Sequence, residues 1–112
     1  MNEYYQLIKH PDISLSPISD SIGIGNPATG EILAYVRNTG SDKLKNLIQK
    51  AAAAQKLWAA KTALERADIL WRWYFLVKEN KEALARLMTM EQGKSLTESR
   101  GEIDYAASFM RW

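Results

Sequence analysis

The chain has 112 residues, of which 46% are apolar and 25% charged, and its formal net charge is +2. That size allows one domain or part of one, and lysines and arginines scattered among acids argue against a nucleic-acid surface, which needs a basic stripe. With no cysteine and a single histidine, His10, there is no thiolate nucleophile, disulfide framework or multi-histidine metal site, and no apolar run reaches the roughly 20 residues of a membrane span.

The opening MNEYYQLIKHPD lacks the charged-then-apolar layout of a signal peptide, so the cytoplasm is expected by default. Residues 1–21 contain two prolines and scattered Ser and Asp, and read as an extended arm with a short turn near Tyr4–Lys9. His10, in a loop before Pro11, reads as a solvated surface residue. Over 22–37 the sequence IGIGNPATGEILAYVR alternates in both halves around Asn26-Pro27-Ala28-Thr29-Gly30. That is a β-hairpin with a turn longer than two residues. Gly23 and Gly25 read as strand glycines at a close backbone approach, because no helix follows to complete a phosphate loop.

Four helices follow, near 42–60, 63–79, 81–92 and 96–112. Ser41 is placed to cap the first, whose Leu44, Leu47, Ile48, Ala51, Ala54 and Trp58 form an amphipathic face. Thr62 and Glu65 stand at capping-box spacing and open the second. Its Glu65, Asp68, Arg72 and Glu79 fall on one narrow stripe, with Asp68 and Arg72 an i,i+4 pair. Apolar residues fill the rest of its circumference, including Trp71, Trp73, Tyr74 and Phe75, as in a helix covered on most sides. Asn80 is placed to cap the third helix, with Leu84, Leu87 and Met88 inward and Gly93 as its stop. Ser95 and Glu98 repeat the capping box for the fourth, where Arg100, Asp104, Ser108 and Arg111 make the polar stripe. Ile103, Tyr105, Ala106, Phe109, Met110 and Trp112 cover the other arc, and the helical pattern is still running at Trp112.

Two carboxylates sit among apolar neighbours, Glu91 and Glu102. Such groups are sometimes catalytic, but neither has a nucleophile or histidine near in sequence. A last-turn Glu91 turned to water or to Lys94, and a Glu102 paired with an arginine from another helix, are the expected arrangements.

Several of these phrases, taken in order, resemble one family. Asn26-Pro27-Ala28-Thr29-Gly30-Glu31 resembles the N-terminal hairpin turn of aldehyde dehydrogenases. Trp58, Thr62, Glu65-Arg66-Ala67 and Ile69-Leu70 are similar to the family's first two helices, and Leu87-Met88-Thr89 with Glu91-Gln92-Gly93-Lys94 to its third helix and exit turn. Glu98 to Ile103, Tyr105 to Phe109 and Trp112 are similar to the succinate-semialdehyde dehydrogenase branch. Ser95 stands where the family commonly has proline, and the Trp71–Phe75 run is more aromatic than usual.

The resemblance covers Gly25 to Trp112 and implies the N-terminal part of the family's cofactor-binding domain: mainly α, with one β-hairpin and four helices over 22–112, after an arm over 1–21. It implies that a whole enzyme of this kind oxidises succinate semialdehyde to succinate with NAD or NADP. The family's nucleophilic cysteine, general-base glutamate, oxyanion asparagine and main cofactor contacts lie downstream of this region. The expectation for this chain alone is therefore no bound cofactor, no catalytic residue and no turnover. The helix carrying Gly101 and Tyr105 looks like the one bordering the substrate entrance, so those residues would line a tunnel wall in the whole enzyme. Exposed apolar helix faces imply self-association. The competing reading is a free-standing helical module that binds a protein partner; a weak nucleic-acid binder is a distant third.

Overall fold

The computed structural model describes residues 3–112, apart from the Tyr5 side chain. In chain order the elements are α1 (Glu3–Leu7), β1 (Ile13–Ser14), β2 (Ser21–Gly25), β3 (Ile32–Arg37), α2 (Ser41–Ala59), α3 (Ala63–Glu79), α4 (Lys81–Gln92) and α5 (Leu96–Arg111). The hairpin and the four long helices lie where the sequence pattern puts them.

The segment read as an extended arm is different. It supplies a short helix and a third strand, giving an antiparallel sheet in the order β1-β3-β2. Ile13 pairs with Val36 and Ser14 with Tyr35, and the Arg37 amide donates to the Asp12 carbonyl at 2.9 Å. Pro11 and Pro17 flank this strand and have no N–H to give a ladder, so it stays too short for an alternation to show.

Between β2 and β3 the register slips at Ile24/Gly25: Ile24 faces Ala34 and Gly25 faces Ile32, leaving Leu33 as the extra residue of a bulge. Leu33 and Ala34 are both buried as a result. They join Tyr4 of α1 and Leu87 of α4 in the core, with Leu7, Ile8, Ile13, Ile24 and Met90 packed around them. A Cβ at Gly23 would meet Ile32 and Tyr35 side chains at ordinary distances of 3.5 and 3.6 Å, so that position does not require glycine. The tight approach is at Gly93, the left-handed end of α4 with φ 75°, where a Cβ would lie 3.0 Å from Pro27 Cγ of the hairpin turn. Gly93→Ala should cost about 1–2 kcal/mol from the left-handed backbone alone, and urea denaturation against the parent chain measures it.

Both capping boxes form. The Glu65 amide donates to Thr62 Oγ1 at 3.3 Å while the Thr62 amide donates to Glu65 Oε2 at 2.7 Å; Ser95 and Glu98 do the same at 3.2 Å in each direction. The other two expected caps do not. Ser41 is already the first residue of α2, and Gly40 before it has no side chain to bond. The Asn80 side-chain Nδ2 donates backwards to the Leu76 carbonyl at 2.8 Å, so it closes α3 and makes no capping bond to α4.

On α5, Ser99, Ile103 and Ala107 are buried, an i, i+4, i+8 stripe facing α3 and α4. The fully enclosed residues of this seam are Ala85, Ser99 and Ala107, and Ser99 shares a hydroxyl hydrogen bond with Thr89 of α4 at 2.8 Å. Only part of the expected apolar arc is used, since Tyr105, Phe109 and Trp112 stay exposed.

The polar stripe of α5 ties the helices together at its edge. Arg100 grips Glu82 with two bonds, 2.8 and 2.9 Å, and Asp104 accepts from Lys78 at 2.5 Å and Lys81 at 2.6 Å. Hydrogen bonds from these two lysines hold the Asp104 carboxyl below its ordinary value, and the Arg100 guanidinium does the same for Glu82. Carboxyls depressed in the folded state stabilise it above their unfolded values near 4, and that contribution is lost as the pH falls through the folded values. Stability should thus decline on acidification below about pH 4, and Asp104→Asn should flatten the decline in denaturation midpoints measured between neutral and acid pH.

Candidate functional site

Helix α2 buries none of its residues, and neither does α3. The Cα radius of gyration is 17.0 Å, against about 13 Å for a compact domain of this length. The accessible surface is 8367 Å², where a compact monomer of 12.7 kDa has about 6,200 Å². Ten of the sixteen large hydrophobics that stand exposed among the described residues lie on these two helices.

Between them lies an open groove of about 680 Å³, lined by Ala51, Ala54 and Trp58 of α2 and by Ile69, Leu70 and Trp73 of α3. Further along α3, Trp71 stacks on Phe75 with ring centroids 5.7 Å apart, and Tyr74 meets both edge-on at 5.4 and 5.3 Å. This aromatic cluster is local: Trp71 meets Tyr74 and Phe75 at i,i+3 and i,i+4 spacing and the last two are adjacent; Trp73 and Phe75 are each 54% exposed. Arg72 donates to the backbone carbonyl of Asp68 at 3.4 Å, not to its carboxylate.

The residues singled out from sequence fall in separate places. Gly101 and Tyr105 sit one turn apart on α5, both exposed; Tyr105 is 68% exposed and meets Phe109 edge-on at 4.8 Å. Glu91 does not take Lys94; it is exposed, as a last-turn residue turned to water would be, and it also accepts a hydrogen bond from the Tyr4 hydroxyl at 2.5 Å. The two are 87 positions apart, a distance over which the sequence carries no local signal. Burial, followed by this bond and the carboxylate's charge, pushes the Tyr4 phenol well up from its ordinary value. A raised phenol stabilises the fold below the unfolded value near 10, and that contribution is lost as the pH rises beyond it. Tyr4→Phe should cost about 0.5–1.5 kcal/mol by denaturation at neutral pH and weaken the alkaline loss of stability.

Glu102 pairs with Lys94, in the turn before its own helix, where an arginine from another helix was expected. His10 is exposed, and its Nδ1 accepts from the Asp12 amide at 3.2 Å. Among the described residues no three His, Asp or Glu side chains gather as a metal site would require, and no helix is long and apolar enough to cross a membrane. A second, polar cleft of about 300 Å³ lies between the end of β3 and α2, where Arg37, Lys43 and Lys50 face Asp12; Arg37 pairs with Asp12 at 3.3 Å.

No acid–base or nucleophilic constellation emerges from these positions. What the fold presents is α3, α4 and α5 packed together, with apolar faces of α2 and α3 left exposed. Comparison with known proteins accounts for that arrangement. The profile of the aldehyde dehydrogenase family matches residues 16–112. The chain belongs to the aldehyde dehydrogenase family. A glutarate-semialdehyde dehydrogenase of Pseudomonas aeruginosa is 51% identical over 92 residues, covering 82% of this chain and 19% of that enzyme. An NADP-dependent succinate-semialdehyde dehydrogenase of Escherichia coli is 48% identical over 93 residues, covering 83% of this chain and 19% of that enzyme. In three dimensions the chain matches a crystal structure of an aldehyde dehydrogenase from Brucella melitensis with a TM-score of 0.82 and 39% identity, over 94% of this chain and 24% of that one. The chain thus spans about a fifth of the length of the family members it matches.

Proposed function

We propose that this chain forms the N-terminal part of the cofactor-binding domain of an NAD(P)-dependent semialdehyde dehydrogenase acting on succinate semialdehyde or a close semialdehyde homologue. The observation carrying this reading is the ordered likeness over residues 16–112 to enzymes named for those substrates. Its role there is architectural. The sheet and α4 anchor the segment, and α5 brings Gly101 and Tyr105 to the side from which substrate would enter, as part of a tunnel wall.

The 112 residues by themselves lack the cysteine on which an aldehyde would form a thiohemiacetal. Alone, the chain is an inactive scaffold that binds neither NAD nor NADP and associates with other copies through its exposed helices. The free-standing interaction module, the competing reading, makes the same use of those faces but predicts no compatibility with a dehydrogenase body.

A chimera separates the two. Residues 16–112 replace the matching segment of the E. coli succinate-semialdehyde dehydrogenase, and reduced cofactor is followed by absorbance. The expected kcat/KM for succinate semialdehyde is within about tenfold of that enzyme's own, a loss of no more than about 1.4 kcal/mol of transition-state stabilisation. Tyr105→Ala in the chimera should raise KM more than it lowers kcat if the ring lines the substrate path. A soluble chimera with no activity would rule the reading out.

A further inference from the structure

The buried stripe Ser99, Ile103 and Ala107 seats α5 against α3 and α4, but two of its three side chains are small. Only Ile103 is large enough to act as a knob that resists turning of the helix about its axis. At about 100° per residue, Arg100 and Asp104 lie along one flank of that stripe and Glu102 along the other. All of them are paired with residues outside α5. Arg100 holds Glu82 of α4 through two bonds. Asp104 holds Lys78 at the end of α3 and Lys81 at the start of α4, and Glu102 holds Lys94 in the turn before α5. A lone exposed pair contributes little, but a bidentate fork and a shared carboxylate are geometries in which such pairs count. With anchors on both flanks, rotation is opposed in either sense.

Gly101 and Tyr105 project from the side opposite the buried stripe. A Cβ at Gly101 would meet nothing within 4 Å. The Tyr105 ring meets Phe109 of the same helix, so where it points follows from how α5 is turned. Gly101 is also the residue type that weakens a helix interior, and it stands directly between the paired Arg100 and Glu102. A turn of about 10° carries a side-chain end at an outer radius of about 6 Å through about 1 Å. Misplacement by about 1 Å beside a reaction path can cost about a hundredfold in rate.

Resting on the reading above, in which Gly101 and Tyr105 border the substrate path, we infer that Arg100, Glu102 and Asp104 are positioning residues. Paired with α4, the end of α3 and the turn before α5, they fix the rotation of α5 about its own axis and so hold Tyr105 at the substrate wall.

The chain has no cysteine, so two spin labels can be placed without competing thiols, at Leu64→Cys on α3 and Tyr105→Cys on α5. In the full 112-residue chain, diluted with unlabelled chain, the expected result is one narrow distance between them. Arg100→Gln combined with Asp104→Asn should broaden or move that distance by about 1 Å or more. Arg86→Gln, which breaks an exposed pair between α4 and α1, should leave it in place. An unchanged distance in the Arg100/Asp104 variant would overturn the inference whatever the activity. In the chimera carrying residues 16–112, Asp104→Asn and Arg100→Gln should each raise KM for succinate semialdehyde about threefold or more while kcat moves by less than about twofold. Asp104→Glu, which keeps the charge, should stay near the unsubstituted chimera. A displaced label with KM unmoved would overturn the positioning role and leave the proposed function standing. An active chimera whose KM is indifferent to Tyr105→Ala would remove the wall and this inference with it, and a soluble chimera without activity would remove the positioning role together with the proposed function.

Discussion

Truncating Leu87 to alanine should destabilise the fold by about 2–5 kcal/mol, the range for a large-to-small change at a buried aliphatic site. Leu87 is the α4 residue that meets Tyr4, Leu33 and Ala34, so it joins the helical layer to the sheet. Its core partners come from three separate elements, Tyr4 of the five-residue α1 and Leu33 and Ala34 of β3, with Ile13 of β1 packed at the edge. Against a total stability of about 5–15 kcal/mol, such a loss removes a large share. Urea denaturation at fixed protein concentration, followed by circular dichroism, measures it. Leu57→Ala on the exposed side of α2, 75% exposed, serves as the contrast and should change stability by about 0.5 kcal/mol or less. Equal effects at the two positions would mean that the core is not where Tyr4, Leu33, Ala34 and Leu87 place it.

That contrast follows from what local pattern does and does not carry. Helix existence was legible because capping boxes, glycine stops and long periodic faces are signals within a few residues of each other. Thr62 with Glu65, Ser95 with Glu98, and Gly93 all sit where those signals put them. The hairpin was legible from alternation around Asn26–Gly30, whose turn is closed by the Gly30 amide on the Asn26 carbonyl at 2.8 Å and the Ala28 amide on Asn26 Oδ1 at 2.9 Å.

What could not be read are pairings over long sequence distances. Strand β1 exists only through its contact with β3, and nothing in Ile13-Ser14 alone distinguishes it from loop. Glu91 found Tyr4 for the same reason. Asn80 illustrates a local ambiguity: it stands between two helices, and its side chain served the one before it. The groove is a different case. Too many apolar residues on α2 and α3 for the chain to cover was visible in the sequence. Which of them would face one another across 680 Å³ depended on how two helices diverge. Gly101 and Tyr105 drew attention through family likeness alone, and their exposed position on α5 is compatible with a role that needs further polypeptide beside them.

The isolated chain should be an oligomer at micromolar concentration, held by the faces that a dehydrogenase body would cover. Association costs roughly 4–15 kcal/mol in lost translational and rotational freedom before any contact is counted. Burying one large apolar side chain returns about 1.5–3 kcal/mol, so a handful per interface is required. The exposed set includes Leu57 and Trp73 on the groove and Leu64, Phe75, Leu76 and Phe109 outside it, enough for contacts between copies. Light scattering across a concentration series should give at least twice the 12.7 kDa of one chain, with a dye that reports apolar surface becoming less bright as association proceeds. Trp73→Glu places a carboxylate where an indole would be buried against another copy, and an unpaired charge in such an interface is strongly unfavourable. A central aromatic is typically worth 2 kcal/mol or more to an interface, so Kd for association should rise by roughly thirtyfold or more. Helical content should stay unchanged, because no residue of α3 is buried in the chain itself. A parent chain that remains monomeric at high micromolar concentration and binds no dye would show that α2 closes over α3 in solution and that the groove is filled from within.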